Sequence, residues 1–171
     1  MNLKNIKVKS SKEYPIIVDA KPCAKTVSIL KNLIAGMYGE LTGVLQYFFQ
    51  SSVAHKIEKE VSNLLEEISI VEMEHLELLS HAIVCFGGEP RYETAQGQPF
   101  TASQVNYTTK LSKMLDVNIF AEESAIKNYK ESIRHVDNES LKKLFERIIE
   151  DEEMHILAFR QLRDLVKFMT I

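Results

Sequence analysis

Residues 72–75 read Glu-Met-Glu-His and residues 152–155 read Glu-Glu-Met-His. Each is a glutamate followed three positions later by a histidine, inside a stretch whose apolar residues recur at threes and fours. Positions i and i+3 of an α-helix share a face, so each motif aims one carboxylate and one imidazole at the same point. Each motif also has a lone glutamate upstream: Glu40 precedes Glu72 by nearly the same interval as Glu122 precedes Glu152.

The apolar periodicity predicts four helices. Helix A runs from Cys23 to about Ala54, following Pro22, with Leu30, Leu33, Met37, Glu40, Val44 and Tyr47 on one stripe. Helix B runs from about Ile57 to Phe86, carries Leu65, Ile68, Glu72, His75 and Leu79 on its stripe, and stops at Gly87-Gly88. Helix C carries Leu115, Ile119, Glu122, Ile126 and Tyr129; helix D carries Phe145, Ile148, Glu152, His155 and Phe159. Between B and C, residues 88–106 hold two prolines and no sustained helical period, which marks a long connection. Its roughly 20 residues are enough to run the length of a helix, at about 3.3 Å each.

The halves repeat one another. Glu122 follows Glu40, Glu152 follows Glu72 and His155 follows His75 at intervals that agree to within two positions, as an internally duplicated helical hairpin requires. Antiparallel helices with their glutamates at one height must turn midway, at residue 56 in the first hairpin and 137 in the second. Asp137-Asn138 is a clear break, whereas His55-Lys56 is a weaker one. Helices of about 30 residues span about 45 Å, which puts these side chains near mid-bundle.

The chain has 171 residues, 45% hydrophobic and 26% charged, with a net charge of −3. That suits one globular domain, read as an arm over residues 1–22 and a helical domain over 23–171. Lysines and glutamates are interspersed, without the basic footprint that nucleic-acid binding needs, so no nucleic-acid partner is expected. No uncharged apolar run approaches the length of about 18 residues that a membrane span needs, and no signal-like segment opens the chain; a cytoplasmic protein with no membrane partner is the expectation. Cys23 and Cys85, the only two cysteines, are too few for a disulfide framework or a four-cysteine metal site and read as buried thiols.

Glu40, Glu72, Glu122 and Glu152 each lie on an apolar stripe, where an unpaired carboxylate would be neutralised or expelled. Two divalent cations offset four such charges, with His75 and His155 completing the ligand sets. Mixed carboxylate and imidazole ligation suits iron or manganese. With 24 acidic residues and five histidines, a bare Glu-x-x-His is matched easily by chance; its weight here comes from the apolar stripes and the matched upstream glutamates. Tyr47 and Tyr129 each follow the lone glutamate of their helix by seven positions, within reach of carboxylates on neighbouring helices. They read equally well as core aromatics. His55, His81 and His135 lack matched partners and read as surface residues, and the acidic run 150–153 reads as a mostly solvated face.

These residues resemble the ferritin-like superfamily, in which two helices each give a glutamate and the other two each give a Glu-x-x-His. The resemblance covers residues 24–168. The stretches GELTGVLQYFFQS and IVEMEHLELLSHAI are similar to rubrerythrin and manganese-catalase relatives, and AEESAIKNYKESI and IIEDEEMHI to the second halves of rubrerythrins and bacterioferritins. It implies an all-α four-helix bundle with a long crossover between B and C. Its di-metal centre of iron or manganese would be held by Glu40, Glu72, His75, Glu122, Glu152 and His155, with Tyr47 and Tyr129 behind the ligands. Glu122 is preferred to Glu123 because it alone gives Tyr129 the offset that Tyr47 has from Glu40. The implied activity is oxidoreduction of oxygen or hydrogen peroxide, as ferroxidase, peroxidase or catalase; iron binding or storage without turnover is the alternative, and a homodimer is implied.

The sequence departs from those relatives at three places. Ala125 stands where rubrerythrins carry a further glutamate, and two cysteines do not build a rubredoxin module. The stretch after His155 is used by helix D, which leaves too little for the fifth helix of ferritin cages. Met73 matches a haem-ligating methionine of bacterioferritins, a position where manganese-catalase-like sequences also tolerate methionine.

Overall fold

The structure, a computed structural model, describes residues 6–167. It contains α1 (Ala24–Ala35), α2 (Glu40–Ala54), α3 (Lys59–Cys85), a 3-10 turn (Ala102–Gln104), α4 (Leu111–His135) and α5 (Glu139–Lys167). No strand forms among the described residues; Glu93 and Pro99 share one isolated bridge.

Predicted helix A is two helices, a correction to the reading above. The chain breaks at residues 36–39, where a Cβ on Gly39 would lie 2.4 Å from the Leu33 carbonyl oxygen and 2.7 Å from that of Ile34. Only glycine permits the approach, and Gly39 then becomes the N-cap of α2. Periodicity missed the break because α1 and α2 bury the same side of the chain: Leu30, Leu33 and Ile34 before it, Tyr47 and Ala54 after it. One consequence matters for the site. Glu40 becomes the first residue of a helix, where the backbone dipole favours an anion.

The remaining helices follow the periodicity closely. The turn around residue 56 falls at residues 55–58, and Val136–Asn138 separates α4 from α5. Gly87, at φ +79°, ends the α3 hairpin arm with its N–H on the Val84 carbonyl.

Cross-helix hydrogen bonds fix the topology. Ser51 meets Ser62 at 3.2 Å and Ser69 donates to the Val44 carbonyl, so α2 and α3 are antiparallel. Tyr47 reaches Glu122 and Gln50 reaches Asn118, so α2 and α4 are antiparallel too. Hence α3 and α4 run parallel, and the chain between them must cross the full length of the bundle. It does so along the first two helices: Lys31 pairs with Glu93, Asn32 accepts from the Ala95 N–H, and Gln46 accepts from the Asn106 N–H. No helix of the described residues is long and apolar enough to cross a membrane.

A buried core of leucine, isoleucine and phenylalanine fills both ends of the bundle, including Leu30, Ile34, Leu65, Leu115, Phe145 and Phe159. Polar side chains occupy the middle. Residues 6–22 form no helix; they run along α5, with Val18 bonded to Ser140 and Asn138, and Arg147 bonded to the carbonyls of Lys12 and Ser10.

Candidate metal centre

Each helix of the bundle contributes at mid-height. From α2 comes Glu40, from α3 Glu72 and His75, from α4 Glu122, and from α5 Glu152 and His155; all six are at most 3% exposed. Their ligand atoms form two groups, Glu40–Glu72–His75–Glu152 and Glu72–Glu122–Glu152–His155, within each of which the atoms lie within 4.8 Å of one another. Glu72 and Glu152 belong to both. The Nδ1 of His75 stands 3.4 Å from Glu40 and 3.3 Å from Glu152; the Nδ1 of His155 stands 3.0 Å from both Glu72 and Glu152 and 3.5 Å from Glu122. Glu123, the fallback to Glu122, is half exposed and pairs with Arg160.

A buried carboxylate normally has its oxygens satisfied. Here Glu40 Oε2, Glu72 Oε1, Glu152 Oε1 and His75 Nδ1 are buried without a hydrogen-bond partner among the described residues. The donor set is four carboxylates and two imidazoles facing one another in a buried interior, which cations would satisfy and neutral packing would not. Proton affinities carry the same signature. Burial, then repulsion from Glu152 and Glu122, lifts Glu72 well above the usual carboxyl range. Burial and Glu152 push Glu122 up to about 7. Burial works against both imidazolium ions, yet bonds to the surrounding carboxylates raise His75 and His155. Glu152 goes the other way: despite burial, both imidazoles hold it ionised. The pocket therefore attracts positive charge, and protons supply it when nothing else does.

Two tyrosines tie the carboxylates across the bundle. The hydroxyl of Tyr47 on α2 donates to Glu122 on α4 at 2.7 Å, and that of Tyr129 on α4 donates to Glu40 on α2. The duplication is thus read reciprocally, each half's tyrosine holding the other half's lone glutamate.

A cleft of about 20 Å³, room for one water-sized molecule, reaches Glu40, Glu72 and Glu122 between α2 and α4. Gly43 and Ala125 line it, and the offset between them is the one that relates Glu40 to Glu122. A Cβ on Gly43 would lie 3.0 Å from Glu72 Oε2, so glycine there lets the carboxylate lie against α2. Outside, a cavity of about 410 Å³ shares Tyr38, Thr42, Gln46 and Ala121 with the cleft. Tyr38 and Phe120 stand edge to face beside it, with centroids 5.6 Å apart.

Two further expectations need correcting. The acidic run 150–153 is not a solvated face: Asp151 and Glu152 are fully buried, and only Glu153 is exposed. Nor are both thiols buried; Cys23 is partly buried and Cys85 is exposed on the last turn of α3. Asp151 itself is the buried residue beside the ligands that the sequence reading missed. It accepts from the His75 ring at Nε2 (3.1 Å), and position 151 lies two helical turns from buried Leu144 and from buried Ala158, a periodic signal the run of acids obscured. Also unforeseen is a buried amide cluster of Gln46, Gln50 and Asn118 between α2 and α4. His55, His81 and His135 are exposed, as expected, and Met73 is half exposed.

Comparison with known proteins agrees with this architecture. The rubrerythrin family model matches residues 31–163. A probable manganese catalase from Clostridium acetobutylicum is 22% identical over 160 residues, covering 81% of this chain and 70% of that protein. The crystal structure of a manganese catalase from Anabaena PCC7120 superposes with a TM-score of 0.84 at 24% identity, over 94% of this chain and 81% of that one. A bacterioferritin from Desulfovibrio desulfuricans, with a diiron site, gives a TM-score of 0.73 at 24% identity, over 84% and 81%. At these identities the likeness to the solved structures is one of fold.

Proposed function

The chain belongs to the rubrerythrin family, and on that premise we propose that it is a di-metal carboxylate oxidoreductase whose substrate is hydrogen peroxide, disproportionated to water and oxygen. The observation that carries the reading is the set of ligand atoms on Glu40, Glu72, His75 and Glu152 without hydrogen-bond partners among the described residues, converging in two overlapping groups inside a buried core. In this reading Glu40, Glu72, His75 and Glu152 would hold one ion of iron or manganese, and Glu72, Glu122, Glu152 and His155 would hold the other. Bound as a pair, such ions supply two adjacent one-electron couples, which suits the two-electron chemistry of peroxide.

The protein side of the work is placement and exclusion. Tyr129 holds Glu40 by Oε1 and leaves Oε2 turned to His75, whereas Tyr47 bonds Glu122 at Oε1, the oxygen that also lies nearest His155, and so fixes that carboxylate in place. The cleft bounded by Gly43 and Ala125 has room for one water-sized molecule and is too small for an organic substrate. Disproportionation balances without an outside reductant: two peroxide molecules give two of water and one of oxygen. Names of the relatives support manganese and peroxide for this chain, whereas the bacterioferritin likeness supports an alternative in which Fe(II) is oxidised or simply bound.

Metal analysis of natively purified protein, followed by oxygen-electrode measurement on peroxide without reductant, tests the reading. The expected result is about two ions per chain and one oxygen released per two peroxides. Peroxide loss only when Fe(II) is added would move the assignment to ferroxidase chemistry. Protein carrying no stoichiometric metal would sink the di-metal reading altogether.

A further inference from the structure

Asp151 lies outside both ligand groups, yet it is fully buried and takes contacts from four sides. Its Oδ2 accepts from His75 Nε2 at 3.1 Å and from the Tyr14 hydroxyl at 2.7 Å; its Oδ1 accepts from the Ser10 N–H at 2.6 Å and pairs with Arg147 at 2.8 Å. Two of these partners, Ser10 and Tyr14, belong to the N-terminal arm. Arg147 in turn bonds to the carbonyls of Ser10 and Lys12 and lies 4.4 Å over the Tyr14 ring, so one guanidinium fastens both the arm and the carboxylate. The Tyr14 ring meets His75 edge on, at 6.0 Å and 89°.

His155 has nothing comparable. Its Nε2 is buried and without a hydrogen-bond partner among the described residues, and the counterpart of Asp151 in the first half, as far before it as His75 is before His155, is Val71. An imidazole whose far nitrogen donates to a carboxylate is fixed in orientation and tautomer and is the stronger metal ligand.

We propose that the N-terminal arm, through Ser10 and Tyr14, locks Asp151 onto His75 and so makes the cation position at His75 the tighter of the two. Tyr14 is a positioning residue: it touches neither ion nor substrate and acts through Asp151. The proposal rests on the di-metal reading above. Its electrostatics are self-contained, since Arg147 balances Asp151 and the lock adds no net charge beside the carboxylates.

Two measurements test it. In metal-free protein, solvent exchange of the His75 ring N–H, followed by NMR, should be about tenfold faster in Tyr14→Phe, the loss expected for one hydrogen bond to a charged group, while the His155 ring is unaffected. In a Mn(II) titration of the full chain, the tighter of two steps should weaken about tenfold in Tyr14→Phe and 10–100-fold in Asp151→Asn, with the weaker step unmoved. Ser10→Pro, which removes the arm's backbone donor and leaves Tyr14 intact, should weaken the same step. If wild type binds two ions and the variants leave both steps unchanged or shift them equally, the lock is refuted. If wild type binds none, the di-metal reading falls, and this proposal falls with it.

Discussion

The two hairpins, α2–α3 and α4–α5, offer the same chemistry in different settings. Each gives a lone glutamate, a tyrosine two helical turns on, and a Glu-x-x-His, and these meet at one height. Their surroundings have parted. Glu40 opens α2 after a glycine break, at the positive end of a helix dipole, whereas Glu122 sits in the middle of α4 and holds its proton up to about pH 7. His75 backs onto Asp151 and the arm; the far nitrogen of His155 has no hydrogen-bond partner among the described residues. A duplicated hairpin keeps what both halves must supply to the shared centre and lets the residues behind the histidines diverge, because Asp151 bears on one ligand group and not on the other.

The strongest way to break the comparison is to remove what the halves share. Glu152→Leu takes a carboxylate from both groups at once, so both ions should be lost and peroxide turnover should fall to background. The metal-free variant should also melt lower than metal-free wild type, since it removes the carboxylate that both imidazoles hold ionised, and taking away one partner of a buried ion pair is destabilising. Calorimetry beside metal analysis reads both effects. Loss of one ion only would show that Glu152 is not shared.

Acidity separates the halves next. In metal-free protein, the raised folded-state value of Glu122 means that the folded chain keeps a proton the unfolded chain releases near pH 4.5. The resulting penalty is absent below about pH 4.5 and complete above about 7, and the raised histidines add stability that is likewise lost as pH rises. Metal-free protein should therefore lose roughly 5 °C or more in melting temperature between pH 5 and 8. Glu122→Gln should flatten part of that slope, and Mn(II) loading should remove it; a flat profile for the metal-free wild type would contradict the assignment.

The asymmetry can also be repaired. Val71→Asp puts a carboxylate where the duplication places the counterpart of Asp151. It should cost about 2 kcal/mol in the metal-free state, as a buried polar group without its arm of donors, and should tighten the weaker metal step by about tenfold. Stepwise titration distinguishes this from general destabilisation, which would weaken both steps. The smallest effect is expected from Glu123→Gln, which loses only an exposed pair with Arg160: under about 0.5 kcal/mol in denaturant melts, with metal content unchanged. A fall in metal content there would mean that Glu123, not Glu122, faces the ions.

Much of this was legible in the chain itself. Period and breaks gave the helices, because amphipathic packing imposes a repeat of about 3.6 residues wherever one side faces a core. The spacing of glutamates against turns gave their common height, because rise per residue is fixed. The break at residues 36–39 was hidden, since two helices burying the same side preserve the period across a glycine pair. Asp151 was hidden because a charged run looks solvated until something else in the fold neutralises it. That something is Arg147, one turn away on the same helix, together with Ser10 and Tyr14 from the opposite end of the chain. Local periodicity thus determined which six side chains face the interior, while only the tertiary structure decided which histidine gains an outer partner, which carboxylates are shared, and that the connection crosses the bundle. Those depend on contacts between distant segments, and no spacing within one helix encodes them.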